Sequence, residues 1–189
     1  MLDKRLFSIL ALSSMAFVAA PAWADEYQDT INLFRKAEES GKFFAKAYGY
    51  AVFPTIGKGG MGIGGAYGKG RVYENGRGIG ETSMTQLSVG FQLGGQGFSQ
   101  IIFFENQAAL KTFTKGEYEF GAEASAVAIT LGASARAGTD GATAGASVDK
   151  NKAKVVGSYN NGMAVFTVLK GGLMYEAAIA GQKFNFERR

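Results

Sequence analysis

The stretch GKGGMGIGGAYGKG, Gly57–Gly70, limits how this chain folds more than any other, because eight of its fourteen residues are glycine. Met61, Ile63 and Tyr67 recur between the glycines at the spacing of a strand, whereas flexible linkers are polar and rich in serine. Glycine weakens a strand, so its repeated use indicates a bulge or a surface that a chain segment or a ligand approaches closely. The pattern predicts a strand with one bare face, and close packing and a ligand surface are equal alternatives for that face.

The same stretch does not match the phosphate-binding loops that glycine-rich sequences suggest. A Walker loop requires GxxxxGK[ST], but Gly57-Lys58 and Gly68-Lys69 are each followed by glycine. GxGxxG occurs twice, yet the dinucleotide motif also needs a helix after the glycines, to bind pyrophosphate at its N-terminus. Here GAYGKGRVYENG follows, which is typical of strand and turn. We therefore expect no nucleotide binding.

The first 24 residues, MLDKRLFSILALSSMAFVAAPAWA, predict a secretory signal peptide. Lys4 and Arg5 precede an apolar run, and AWA ending at Ala24 is a small-x-small cleavage pattern. Cleavage there leaves residues 25–189, a length typical of one domain. The apolar run is shorter than a membrane-spanning helix. We expect a periplasmic or secreted protein, peripheral on a membrane if it is attached to one.

The composition excludes several classes of function. The chain contains no cysteine and no histidine, so it is neither a disulfide scaffold nor a lipoprotein acylated on cysteine. The Ser/His/Asp and Cys/His nucleophile systems and nearly all zinc and copper sites are excluded as well. The formal net charge of +4 is mildly basic, without the long cationic run of a nucleic-acid-binding arm. We expect no enzyme, no cofactor, no metal and no nucleic acid partner.

Short apolar or alternating runs broken by glycine predict strands after Tyr48. The candidates are Tyr50–Ile56, Met61–Tyr67, Gly70–Glu74, Met84–Leu93, Gly97–Glu105, Glu119–Leu131, Lys154–Asn160 and Met163–Leu169. Pro54 indicates an edge or a bulge in the first of them. Turns are predicted at Asn75-Gly76, Gly94-Gly95 and Asn161-Gly162, because asparagine and glycine tolerate positive φ.

Two helices complete the prediction. Asp25–Tyr48 has apolar residues at helical spacing, and Gly41 is expected to stop or bend it. Asn106–Thr114 predicts a short internal helix with Asn106 as its N-cap. Gly132–Asp149 is almost entirely small residues, for which strands around Asp140-Gly141 and a flexible loop are alternatives. The predicted class is α+β, with β-rich antiparallel sheets in a sandwich or barrel-like arrangement, an N-terminal helix and one internal helix.

Three blocks of sequence carry a family resemblance. AYGYAVFPTIGKGGMGIGGAYGKGRVY, GEYEFGAEASAVA and SYNNGMAVFTVLKGG occur in this order between Ala45 and Leu173. Together they resemble the SYLF domain family, found in eukaryotic actin-patch and phosphoinositide-associated proteins and in secreted bacterial proteins. The resemblance implies a lipid-binding domain over residues 25–189, and some fungal members also bind actin. Because an exported bacterial protein meets neither actin nor, ordinarily, phosphoinositides, we carry over only the binding of anionic lipid.

The resemblance also indicates candidate lipid-binding residues. Lys58 and Lys69 align with basic positions of the family pattern, and Arg71 is an added cation beside them. Our hypothesis is that these three contact phosphate oxygens, lysine as a point charge and arginine as a planar fork. The alternative is that they are solvated turn residues.

A second candidate lies at the end of the first predicted helix. Lys36, Lys42 and Lys46 are interleaved with Phe43 and Phe44. In one interpretation the aromatic rings enter the membrane interface while the lysines meet head groups. In the other, the two phenylalanines belong to the core.

The predicted function is a non-enzymatic lipid-binding domain of the cell envelope. It contacts anionic phospholipid, or a membrane surface that contains it, through the basic residues and the glycine-rich strand. One alternative is a structural or protein-interaction module with a partner protein in the envelope. The other is a lipid carrier with an apolar pocket between sheets.

Overall fold

A computed structural model describes residues 22–59, 63–89, 97–122, 124, 126–129, 158–170 and 179–189. These residues form three helices and eight strands. The helices are α1 Ala22–Lys36, α2 Glu38–Gly41 and α3 Gln107–Phe113. The strands are β1 Gly49–Gly59, β2 Ile63–Glu74, β3 Arg77–Val89, β4 Gly97–Phe104, β5 Glu117–Glu119, β6 Val127–Ile129, β7 Met163–Lys170 and β8 Lys183–Arg188. The predicted α+β class, with an N-terminal and an internal helix, is confirmed.

The strands form one curled sheet in the order β5-β8-β3-β2-β1-β4-β7-β6. Neighbours are antiparallel except β6 and β7, which are parallel. The ring centroids of Phe53 on β1 and Phe184 on β8 are only 5.6 Å apart, although β2 and β3 lie between these strands. In a flat sheet, three strand spacings would separate β1 and β8 by about 14 Å. The sheet therefore curls around the face on which these rings lie, which we call the concave face.

Apolar side chains pack on both faces of the central strands. The concave cluster includes Phe53 and Phe184 and is covered by Phe113 of α3. On the other, convex face, Ile31 and Phe34 of α1 pack into a second cluster with residues of β1, β4 and β7. A strand that is buried on both faces has no polar alternation, which explains the continuous apolar run at the end of β4.

The break between the first two helices differs from the prediction. The helix was expected to reach Gly41, where α2 does end, but an additional break at Ala37 (φ −73°, ψ 133°) separates α1 from α2. Across this break, the Ser40 hydroxyl donates a 2.6 Å hydrogen bond to the Phe34 carbonyl oxygen. A Cβ on Gly41 would lie 2.6 Å from the Arg35 carbonyl oxygen. Close approach of backbone explains the glycine, and this contact is invisible in the sequence pattern.

The punctuation residues act as predicted where the structure describes them. The register of β1 shifts between Val52 and Ile56 against β2 and between Phe53 and Ile56 against β4, which confirms a bulge at Pro54. The central position of β1 makes the edge alternative wrong. Asn75-Gly76 and Asn161-Gly162 have φ of 48° and 79°, and of 50° and 76°. Both turns are thus confirmed, and α3 is confirmed with its cap, because Asn106 Oδ1 accepts from the Ala109 amide at 3.0 Å.

Several strand limits were predicted incorrectly. Met61–Tyr67 and Gly70–Glu74 were separate predictions, but β2 is continuous from Ile63. Glu119–Leu131 was expected as one strand, but β5 ends at Glu119 and β6 begins at Val127. β3 begins seven residues before Met84, and β8 was not predicted. Gly94-Gly95, the Gly132–Asp149 segment and most of Lys154–Asn160 lie outside the described residues.

Candidate functional site

The concave side of the glycine-rich strand is filled by its neighbours. A Cβ on Gly70 would lie 2.6 Å from two ring carbons of Phe53, and a Cβ on Gly68 would lie 2.6 Å from Ile56 Cγ1. Because these two positions of β2 have no side chain, the Phe53 ring extends across the backbone of β2 and contacts Phe184 on β8. For Gly68 and Gly70, close packing is the confirmed alternative.

On the convex face, the parts of β1, β2 and β3 that α1 does not cover are exposed. A Cβ on Gly57 would meet no atom within 4 Å, and a Cβ on Gly65 would meet only the Gln86 carbonyl oxygen, at 3.6 Å. Directly paired residues share a face of a sheet, and the register pairs Gly59 with Gly65 and Gly65 with Leu87. The next row joins Gly57, Tyr67 and Thr85. We call this surface the convex platform: Gly57, Gly59, Gly65, Tyr67, Lys69, Thr85 and Leu87.

Two large apolar side chains are exposed on the convex platform. Leu87 is 85% exposed and Tyr67 is 52% exposed. They occupy diagonal positions on neighbouring strands, within reach of one another for long side chains. Lys69, also exposed, follows Tyr67 by two residues and therefore lies on the same face. The platform combines an aliphatic, an aromatic and a cationic side chain on a surface otherwise made largely of glycine.

Acidic residues are missing from the sequence around the convex platform. From Thr55 to Gly70 and from Thr82 to Phe104 the chain has no aspartate or glutamate, and Lys58 and Lys69 are its only charged residues there. Lys69 forms no ion pair with any residue that the structure describes. The Glu26 carboxylate borders the region and accepts a 2.8 Å hydrogen bond from the Thr55 hydroxyl. Beyond Thr85 the same register row continues to Lys183 and Glu119, which form an ion pair of 3.5 Å with each other. Lys69 therefore gives the platform a positive charge.

Arg71 and Lys58 are placed differently from Lys69. The Arg71 guanidinium carbon lies 4.2 Å from the centroid of the Tyr27 ring on α1, and its cross-strand partner is Glu81. Burial raises the pKa of Tyr27, an effect that the Arg71 charge opposes. Lys58 pairs with Ala66, in the register row that alternates with the row of Tyr67. Lys58 and Lys69 therefore belong to different register rows, and Arg71 packs on the Tyr27 ring of α1.

Lys42 and Lys46 lie near the other end of β1. Both are exposed, in the turn after α2. Phe43 between them is buried and stacks on Phe103 at 5.5 Å, which confirms the core interpretation of this residue. Phe44, half-buried, contacts Phe103 at 4.9 Å and Tyr50 at 5.3 Å.

Tyr50 and Gly57 are separated by roughly 20 Å along β1. The two groups of basic residues predicted from the sequence therefore do not form one cluster.

One cavity among the described residues is small. A cavity between Tyr118, Phe120, Met163, Val165 and Ile179 has a volume of about 30 Å³, which suits a water molecule and not an acyl chain. Among the described residues, no cluster of carboxylates could hold a metal ion. None of the helices in this part of the chain is both long enough and apolar enough to cross a bilayer.

Comparison with known proteins identifies the family. The family model described as "Ysc84: Las17-binding protein actin regulator" matches residues 85–188, more than half of the chain. The chain belongs to the Ysc84 family. This confirms the SYLF-family resemblance found in the sequence. The region that the Ysc84 model matches includes Leu87 and β8 but not Lys58, Lys69 or Arg71.

One relative of this Ysc84-family chain is Beta cell expansion factor A from Aeromonas veronii. The two are 29% identical over 186 residues, which cover 96% of this chain and 62% of the relative. The chain therefore spans less than two thirds of the length of that protein.

Proposed function

We propose that this chain is a non-enzymatic module that binds anionic lipid surfaces reversibly through the convex platform. The observation that carries the proposal is the exposed Lys69 beside exposed Tyr67 and Leu87, in a stretch without acidic residues. The SYLF resemblance, which implies lipid binding, supports it as well. Lys69 is the cation of the platform, Lys58 adds charge to the same stretch, and Arg71 has a structural role.

The electrostatic part of this binding is weak for each residue. A lysine near an anionic membrane contributes about 1 kcal/mol, so several charges must act together. Lys42 and Lys46 supply further positive charge near the other end of β1. Because exposed charges are screened over about 10 Å at 0.1 M salt, binding should weaken as salt is added. Residues 55–70 and 82–104 contain no carboxylate that would repel an anionic membrane surface.

A second candidate function is a protein-interaction module, which the description of the Ysc84 family as Las17-binding favours. In that function the convex platform docks a partner protein of the envelope. The lipid-carrier alternative has less support, because the cavity described above is too small for an acyl chain. The protein and lipid functions differ in one observable, which is binding to protein-free vesicles.

Flotation of the purified mature chain, residues 25–189, with vesicles tests the proposal. Vesicles of phosphatidylglycerol and phosphatidylcholine, and of phosphatidylcholine alone, are compared at low and high salt. We expect flotation with the acidic vesicles that decreases with salt. Lys69→Gln should weaken it several-fold, whereas Lys111→Gln, the same charge change at an exposed position of α3, should not. Absence of flotation with acidic vesicles, or equal loss in both variants, contradicts the proposal.

We also propose that the protein works in the periplasm or outside the cell, after removal of residues 1–24. Mass spectrometry of the protein from fractionated cells tests this. A mature N-terminus at Asp25 in the exported fraction is expected, and an intact Met1 in the cytoplasmic fraction contradicts it.

A further inference from the structure

We propose that Leu87 is an apolar anchor that enters the acyl boundary of the membrane, with Tyr67 beside it at head-group level. The inference rests on the proposed function and specifies how the platform engages lipid. It starts from Leu87, which is 85% exposed, while 28 apolar side chains of the described residues are buried.

The pairing of β3 explains why no residue that the structure describes covers Leu87. β3 pairs with β8 only between Gly80 and Thr85, so Leu87 lies beyond the last pair on that side. On its other side the cross-strand partner is Gly65, and Gly59 follows in the same row. Both are without a side chain, so Leu87 projects from a smooth row of backbone.

A projecting leucine on a smooth surface fits a bilayer. A flat partner reaches the leucine without meeting other side chains in the glycine row, and it needs no matching pocket. Tyrosine is enriched at membrane interfaces because its ring is apolar and its hydroxyl stays hydrated. Lys69 can meet phosphate groups at the same level. The flanking sequence contains no carboxylate, and Glu119, at the far end of the Tyr67 row, is neutralised by its ion pair with Lys183. This charge pattern favours an anionic lipid surface over an acceptor of mixed charge.

The anchor predicts an affinity with two parts. The part due to Lys69 decreases with salt, whereas burial of the Leu87 side chain does not depend on salt. Leu87→Ser should therefore weaken vesicle binding at high and at low salt, by roughly tenfold if the side chain is fully buried in lipid. Because Leu87 makes so little contact in the folded chain, its replacement should leave the melting temperature nearly unchanged.

A single-tryptophan variant locates the side chain directly. Trp23 is the only tryptophan of the sequence and lies in the segment that the proposed cleavage removes, so Leu87→Trp in residues 25–189 carries one fluorophore, on the platform. The matched control is Ala108→Trp in residues 25–189, at an exposed position of α3. Both are mixed with vesicles of phosphatidylglycerol and phosphatidylcholine, with and without brominated acyl chains. We expect a blue shift and quenching by bromine for the Leu87→Trp variant and neither for the control.

The outcomes separate the anchor from the proposed function. If the Leu87→Trp variant floats with acidic vesicles but is not quenched, the lipid function stands and the anchor is wrong. If neither the variant nor the parent chain floats, the proposed function fails and the anchor with it. A blue shift that appears without vesicles and grows with protein concentration means that a second copy covers Leu87, which also overturns the anchor.

Discussion

Glycines have different roles on the two sides of the glycine-rich strand β2. On the concave side, Gly68 and Gly70 leave space that Ile56 and Phe53 fill. On the convex side, the position of Gly65 stays open, and its cross-strand partner Leu87 is exposed.

The difference shows that a glycine-faced strand can be both core and surface. The concave glycines let the sheet curl, because an aromatic ring crosses over their backbone to reach β8. The convex glycines remove side chains around a leucine and thereby leave it projecting. The first purpose is structural, and the second is the basis of the proposed lipid contact.

The largest expected effect is that of a methyl group on the concave side. Gly70→Ala places a Cβ 2.6 Å from the Phe53 ring and 2.9 Å from Thr82 Cγ2. Overpacking of a core typically costs about 1–3 kcal/mol, and we expect the upper part of this range because atoms crowd the site from two sides. Urea unfolding measures the loss.

Gly57→Ala is the matched control, because its Cβ would meet no atom within 4 Å. An alanine that fits the backbone reduces the entropy of the unfolded chain, so stability should be equal or higher by about 0.4–1 kcal/mol. Gly57 lies on the neighbouring strand β1, where it pairs with Tyr67 of β2. Equal losses in the two variants would mean that the concave and convex faces of the sheet do not differ.

A smaller effect is expected from the amide pair inside the curl. Gln100 on β4 and Gln182 before β8 are fully buried and exchange two hydrogen bonds, of 2.9 and 3.2 Å. Gln100→Ala leaves the Gln182 amide buried without this partner, at a cost of about 2 kcal/mol. Thermal unfolding measures the change.

The double variant Gln100→Leu with Gln182→Leu shows whether the cost comes from the lost partner. Replacing both members with apolar groups removes the unsatisfied amide, so the double variant should be more stable than either single variant. If each single leucine variant is as stable as the parent chain, the Gln100–Gln182 hydrogen bonds do not stabilise the curled sheet.

Much of the fold could be predicted from local residue chemistry. The turns at Asn75-Gly76 and Asn161-Gly162 follow from tolerance of positive φ, and the α3 cap follows from Asn106. The bulge was predictable because Pro54 cannot donate a ladder hydrogen bond. These features depend on a few neighbouring residues, so the sequence displays them directly.

Long-range placement could not be predicted in the same way. Lys69 and Arg71 are close in sequence, but Lys69 is exposed on the convex platform whereas Arg71 lies over the Tyr27 ring of α1. β8 was missed because its alternation is short, and its pairing with β3 joins residues about a hundred positions apart. Leu87 was missed because a leucine in an alternating strand normally indicates the core. The acid-free stretches around it were a visible signal that was not used.

The smallest expected effect concerns the covered part of the convex face, where Tyr27 lies under Arg71. Burial raises the pKa of Tyr27 above its ordinary value of 10.0. The unfolded chain then loses this proton at lower pH than the folded chain does. The resulting contribution to stability is fully present below pH 10.0 and is lost as the pH rises through the raised folded pKa. Burial raises the pKa of Tyr50 and of Tyr159 in the same direction.

Tyr27→Phe isolates the share of one tyrosine, because it keeps a ring beneath Arg71 and removes the ionising hydroxyl. Urea unfolding from pH 8 to pH 11 should show a shallower decline for this variant than for the parent chain. Vesicle flotation at neutral pH should be unchanged, because Tyr27 belongs to the covered surface and not to the convex platform. If the free energy of unfolding declines with pH equally in Tyr27→Phe and in the parent chain, the Tyr27 hydroxyl is hydrated in the folded protein. In that case α1 does not cover this part of the convex face, contrary to the structure described above.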